Sequence, residues 1–158
     1  MLPDVCIQQA VDADRAVLQN LVAQVCAEPL VRFFFDTRNP PLILDVGCAM
    51  VARQNHETIG VAVWAQDETI AVLTGIVVRA DRRRFGVATA LLQVVLDHLR
   101  HEGVRLIDVT VGAQLPGVCA LFENAGFRVV GRSVEETSDK MVWVHFERRL
   151  MGRRRQKT

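Results

Sequence analysis

The stretch that decides how this chain is read is Val78-Arg79-Ala80-Asp81-Arg82-Arg83-Arg84-Phe85-Gly86-Val87-Ala88-Thr89. An apolar, β-branched run over residues 69–79 ends here. A long helical pattern begins, with Ala88, Leu91, Leu92, Val95, Leu96 and Leu99 recurring on one face. A short arginine-rich loop joins the two. The first amides of a helix have no partner inside it and lie at the positive end of its dipole. A loop that enters a helix at Gly86 or just before it is therefore an anion site, suited to a phosphate or diphosphate. Gly86 and Ala88 carry little side chain and let an oxygen approach the backbone, and Thr89 adds a hydroxyl donor. A solvated basic loop that only caps a helix has the same local chemistry, and a glycine and an alanine two apart do not separate the two readings.

Working outward, residues 49–53, 59–64 and 69–79 read as three strands joined by polar turns at 54–57 and 66–68, which predicts an antiparallel meander. Gly75 inside the third strand marks a bulge or a close backbone approach. Residues 5–9 form a first strand. Asp12 or Asp14 caps a helix whose apolar positions are Val17, Leu18, Leu21, Val22 and Val25, closed or kinked at Pro29. Phe33, Phe34 and Phe35 predict a short buried helix, and Asn39-Pro40-Pro41 a loop. Downstream, Gly103 ends the long helix in the left-handed conformation. A strand follows at 105–111, and Pro116 opens a helix that runs to about Asn124 and stops at Gly126. Residues 127–132 read as a strand, 133–139 as a polar loop, and 141–147 as a last strand.

The strand–helix–strand unit around 69–111 is expected to be a right-handed parallel crossover. The other strands can pair antiparallel. The expected fold is α/β: a mixed, mostly antiparallel seven-stranded sheet with helices on both faces and that parallel unit at its centre. One domain over residues 1–150 is expected, with a basic tail over 151–158.

The chain has 158 residues and a net charge of +1, so no whole-protein field draws it to nucleic acid or membrane. Arg148, Arg149 and Arg153 to Arg155 form only a local basic patch. Cys6, Cys26, Cys48 and Cys119 make no C-x-x-C pair and have no histidine at ligand spacing, which predicts buried reduced thiols and no metal. Met1 is followed by Leu2-Pro3-Asp4 rather than a basic stretch and an apolar core, and no apolar run reaches membrane-spanning length. A cytoplasmic location is the expectation.

Arg83-Arg84-Phe85-Gly86-Val87-Ala88 resembles the R/Q-x-x-G-x-G/A signature of the GCN5-related N-acetyltransferases (GNAT), placed after the fourth strand and opening the third helix as in that family. Val78 matches a valine five residues before the signature arginine, and Ala80 replaces a common proline. Leu121-Phe122-Glu123-Asn124-Ala125-Gly126-Phe127 is similar to the family's L-Y-E-x-x-G-F segment. The element order agrees over residues 4–148.

The resemblance implies acetyl-CoA as cosubstrate and a primary amine of a small molecule or peptide as acceptor. It implies that the amides from Arg84 through Phe85, Gly86, Val87 and Ala88 to Thr89 wrap the diphosphate, with Arg83 and Phe122 at the same site. The backbone at Ile76, Val77 and Val78 would pair with the pantetheine arm, where the fourth and fifth strands splay. The sequence also departs from the family. Phe122 stands where many members have a tyrosine that protonates the leaving thiolate, this chain has no tyrosine, and Leu115 replaces a helpful asparagine. Residues 70–78 hold no carboxylate; Thr74 is their one polar side chain, and Asp108 is the nearest candidate base, or else a structural aspartate at a strand end or paired with an arginine. Those departures keep open a second reading, a catalytically degenerate acyl-CoA-binding or sensing module. Cys119 reads as structural, and His145, on a strand face with Met141 and Trp143, as a base or as a satisfied histidine. Glu135, Glu136 and Asp139 form either an acidic loop that would favour a cationic acceptor or a solvated turn. Many members of the family dimerise, and the last strand, with Trp143 and Phe146, is the candidate surface for a homodimer.

Overall fold

The computed structural model describes residues 4–26, 46–135, 140 and 142–150. Strand β1 (Val5–Gln9) leads through a short 3-10 turn into helix α1 (Arg15–Cys26). Strands β2 (Ala49–Gln54), β3 (Glu57–Asp67) and β4 (Ile70–Val78) follow, then helix α2 (Val87–His101), strand β5 (Leu106–Gly112), helix α3 (Pro116–Asn124), and strands β6 (Arg128–Val134) and β7 (Val142–Arg149). They form one seven-stranded sheet in the order β1-β2-β3-β4-β5-β7-β6, in which β4 and β5 are the parallel pair.

Local chemistry accounts for the joints. Asn55 and His56 both take positive φ, 51° and 65°, between β2 and β3, the two-residue arrangement whose twist suits a hairpin. Glu68, at φ 48°, turns β3 into β4, so the predicted turn residues Gln66 and Asp67 stay in the strand and pair with Ala71 and Ile70. Gly103 and Gly126 stop α2 and α3 at φ 83° and 87°. Asp14 accepts the Val11 N–H at 2.9 Å and also bonds Arg53 of β2, so the entry to α1 is tied to the sheet. The Val11 N–H, and then Arg53, hold the Asp14 carboxyl below the usual carboxylate range, against the opposing effect of burial.

Packing of α2 follows its sequence stripe. Val87, Leu91, Leu92, Val95, Leu96 and Leu99 are buried, and His98 meets the Trp64 ring at 5.6 Å. Gly60 permits the close approach: a Cβ there would stand 3.0 Å from the Val77 carbonyl and 3.1 Å from Leu91. Residues 59–64 of β3 are all buried, so both faces of the sheet are covered at its centre. Strand alternation and register put Gly60, Ala62, Ile107 and Phe146 on the face that α2 and α3 cover. Helix α1, which also packs on β3 and β4, covers the other. Gly60→Ala should force the Val77 strand and Leu91 apart and cost about 1–3 kcal/mol. A thermal scan should read this as a fall of roughly 2–4 °C per kcal/mol.

Several expectations change. Val17 is exposed, because Leu18, Leu21 and Val22 set the buried stripe of α1 and Val17 lies about 100° away from Leu18 around the helix. Ser133 and Val134 belong to β6, and β7 runs on to Arg149. The last strand is not an edge: β7 is bonded to β5 on one side and β6 on the other, so it cannot pair edge to edge with a second copy, and Phe146 is buried while Trp143 is half-buried. The free edge on that side is β6. Cys6 is exposed on the outer face of β1, while Cys48 and Cys119 are half-buried. The helix expected at Phe33–Phe35, the loop at Asn39-Pro40-Pro41, residues 136–139 and the basic tail lie outside the described residues.

Candidate functional site

The site begins where β4 runs out of partners. Ile70, Ala71 and Val72 pair with Leu106, Ile107 and Asp108 of β5, and there the pairing stops, leaving residues 73–78 open on that side. On the other side β4 remains bonded to β3 as far as Val78 opposite Gly60. The bend has a cause in that second ladder. Val63 faces Gly75 and Trp64 faces Leu73, so Thr74 is the extra residue of a bulge, and its hydroxyl donates to the Val63 carbonyl at 3.1 Å. A bulge bends its strand and adds twist, which turns the end of β4 away from β5.

Beyond β4 the arginines divide by role. Arg79 donates to Asp81 at 2.6 and 3.1 Å and to Glu57 at 3.1 Å. Arg82 donates to Gln54 and to the Asp81 carboxylate, each at 3.0 Å. These bonds fasten the loop to the β2–β3 hairpin, and Arg79 above all holds the Asp81 carboxyl below its ordinary range. Arg83 donates through Nε to the Val78 carbonyl at 3.0 Å. Arg84, at φ 68°, lines the cavity, and among the described residues its side chain makes no hydrogen bond or ion pair.

Gly86, at φ 83°, is the N-cap of α2. The first bond into the helix runs from the Ala90 N–H to the Gly86 carbonyl at 3.0 Å, so the N–H groups of Val87, Ala88 and Thr89 have no partner within the helix. They face a cavity of about 660 Å³, within the range of small-ligand sites. Its walls are Ile76, Val77 and Val78 of β4, the loop from Arg82 to Arg84, the first turn of α2, and residues 114–118 with Leu121 at the start of α3. An open strand edge, a helix N-terminus and an unpaired guanidinium thus meet around one hollow.

Residues 19–127 match the sequence profile of the Acetyltransferase (GNAT) family. The chain belongs to that family. Solved GNAT-fold structures superpose on nearly its whole length. The ribosomal-protein-S18-alanine N-acetyltransferase of Escherichia coli is 21% identical, with a TM-score of 0.74 over 94% of this chain and 97% of that one. An N-acetyltransferase from Staphylococcus aureus is 17% identical, with a TM-score of 0.79 over 94% and 99%. The yncA protein of Salmonella typhimurium, solved with its cofactor acetyl-CoA, is 15% identical, with a TM-score of 0.76 over 96% of each chain. At such identities the likeness is one of fold. No curated protein matches the sequence. Acetyl-CoA as cosubstrate fits the family.

Of the residues singled out in the sequence, this GNAT fold brings Ile76, Val77, Val78, Arg83, Arg84, Gly86, Val87, Ala88 and Thr89 to the cavity wall. Phe85 is exposed between two left-handed residues. Phe122 is fully buried, 5.2 Å from Phe127 and 6.0 Å from Phe146, and its helix presents Val118 and Leu121 to the cavity instead. Asp108 closes the last paired rung opposite Val72, with Glu147 opposite it on β7. Burial, and then the Glu147 charge, push the Asp108 carboxyl up. Burial likewise pushes the Cys119 thiol up, which suits a structural thiol better than a nucleophile. Among the described residues no three His, Cys, Asp or Glu side chains are grouped to hold a metal, and no helix is long and apolar enough to cross a membrane.

Sequence reasoning missed Gln114. Its amide lies over Gly112, where a Cβ would stand 2.6 Å from Nε2, and it lines the cavity one residue before Leu115, which replaces the family's asparagine. The missed signal was Gly112 at the end of a strand, a position that leaves room for a folded-back side chain.

Proposed function

We propose that this protein transfers an acetyl group from acetyl-CoA to a primary amine of a small molecule or peptide. The observation that carries the reading is the open edge of β4 leading into a cavity capped by the unpaired amides of α2. The donor set fits the cosubstrate. The N–H groups from Arg84 to Thr89, with the Arg84 guanidinium, suit a diphosphate. The edge of β4 at Ile76 to Val78, open on the side away from β3 with the Val78 carbonyl held by Arg83, suits the amides of a pantetheine arm, as an added strand would. Apolar walls at Val118 and Leu121 suit its methylene segments. Gln114 supplies an amide in place of the one lost at position 115. Acetyl-CoA brings an acetyl group already activated as a thioester; the protein's part is to hold it at the strand gap, exclude water and order the amine beside it. Positioning of that kind contributes on the order of 7–11 kcal/mol in favourable cases. Free thiols at Cys6 and Cys119 support a reducing, cytoplasmic setting.

A second reading, a non-catalytic acyl-CoA-binding module, is favoured by one feature: Phe122, at the family's tyrosine position, is sealed in the core and cannot protonate a thiolate. A thiol-release assay separates the two. Acetyl-CoA is incubated with the protein and a panel of polyamines, aminoglycosides, amino acids and short peptides with a free N-terminus. Transfer predicts release well above the protein-free blank with at least one amine. Binding of acetyl-CoA by calorimetry without release across the panel would favour the module.

A further inference from the structure

On the face opposite α2 and α3, three strands assemble a chain of polar side chains around His145. Thr110 of β5 lies between buried Val109 and Val111, and His145 of β7 between buried Val144 and Phe146. Phe146 packs on Phe122 of α3, so alternation sends Thr110 and His145 to the other face. Thr110 Oγ1 is 3.0 Å from His145 Nδ1, and Ser133 Oγ of β6 is 2.9 Å from Nε2. Both ring nitrogens are thus engaged by hydroxyls, each able to donate or accept. A neutral ring is satisfied with one N–H and one lone pair, and a protonated ring by donating to both. The imidazole can gain a proton without losing a partner or moving a heavy atom.

The place of this chain in the sheet gives it meaning. Pairing of β4 with β5 ends at Asp108, and Thr110 is the next residue on that face, at the start of the gap. Extending the register would set it opposite Thr74. The cavity with Ile76 to Val78 lies on one side of the gap, and Thr110 borders the other. Trp143, two residues before His145 on the same face, has a buried indole N–H without a partner among the described residues; a buried orphan donor calls for an acceptor. The charged groups on the same face of these strands are Asp108 on β5, Glu147 and Arg149 on β7, which bond each other, and Arg128 opposite Glu147 on β6.

We infer that His145, acting through the Thr110 hydroxyl, takes up the proton that the acceptor amine loses as it is acetylated, while Ser133 holds the ring. The inference rests on the acetyl-transfer reading above. The amine nitrogen bonds to the acetyl carbon and the carbon–sulfur bond breaks, its electron pair leaving with sulfur. One N–H proton passes to Thr110 Oγ1 as the Thr110 proton passes to Nδ1 of His145. The imidazolium then returns its proton to the departing thiolate, directly or through solvent, so that amine and thioester become amide and thiol. Asp108 is less well placed for this role, because it stands within the paired rung rather than beyond it.

Imidazole nitrogen NMR on the full-length, ¹⁵N-histidine-labelled protein tests this without an acceptor. Acetyl-CoA is expected to shift the His145 ring nitrogens and, in uniformly labelled protein, the amides of Val87 to Thr89. Adenosine 3′,5′-bisphosphate, which lacks the pantetheine arm, is expected to shift the amides alone. Shifted amides with an unmoved His145 ring under acetyl-CoA would overturn the relay and leave the cosubstrate site standing. Unmoved amides would overturn both. With the fastest amine of the panel, His145→Gln should lower kcat about 100-fold, with the midpoint of thermal unfolding and the acetyl-CoA affinity unchanged. It should also change the shape of the fall in kcat toward acid pH, to which the acceptor's own ammonium contributes in parent and variant alike. Thr110→Ser should keep the rate and Thr110→Val lose it. A His145→Gln enzyme with the parent's rate and pH profile would sink the relay.

Discussion

Gly86→Trp is expected to abolish acetyl-CoA binding while the fold stands. At φ 83° any side chain with a Cβ is strained, by about 1–2 kcal/mol. Among the described residues a Cβ at this position meets no protein atom within 4 Å, so an indole has room to project. The space it enters is the cavity itself, because Gly86 is part of the wall. Calorimetry with acetyl-CoA should show at least a ~100-fold weaker Kd, or about 2.7 kcal/mol. The thermal midpoint should fall only by the few degrees that the strained φ explains, roughly 2–4 °C per kcal/mol. Gly86→Ala carries the same strain with little bulk, and so separates conformation from obstruction. An unchanged Kd in the tryptophan variant would remove the diphosphate from this turn.

Phe122→Ala should show the opposite pattern, a large loss of stability. The ring is fully buried, edge-on to Phe127 and tilted against Phe146, and joins α3 to the start of β6 and the middle of β7. Truncating a buried phenylalanine costs about 3–5 kcal/mol, through lost transfer energy and the cavity left behind. Denaturant unfolding should report that loss as a lower midpoint at constant slope. Phe122→Tyr is informative beside it. A hydroxyl in that apolar setting lacks a partner and costs about 1–3 kcal/mol. With Val118 and Leu121 rather than residue 122 on the cavity wall, it should bring no gain in rate. A marked gain would mean that the ring edge reaches the reacting sulfur after all.

These two positions also illustrate what could be read from the chain. Both belong to segments whose character is local. The stripe of α2, the turn at Asn55-His56, the stops at Gly103 and Gly126 and the opening of α2 at Gly86 each depend on neighbours within a few residues. Periodicity and φ preference report such neighbours directly. The family signature at Arg83 to Ala88 is of the same kind, which is why the cavity wall there was legible. The role of Phe122 was not, because a signature gives a position in the chain and not the direction in which a ring points.

Local pattern was enough to establish the order of strands and helices, the parallel crossover and the glycine-capped turn that opens α2, because main-chain hydrogen bonding and the alternation of apolar residues act over short separations. Folding in three dimensions settled which side chains meet. It committed Arg79 and Arg82 to the hairpin while Arg84 faces the cavity, and it folded Gln114 over Gly112. It placed β7 inside the sheet and so drew Thr110, His145 and Ser133 into one hydrogen-bonded line. Those residues are up to 35 positions apart. Their meeting depends on strand order and register, which are set by burial summed over the whole sheet and leave no mark in any short window of the sequence.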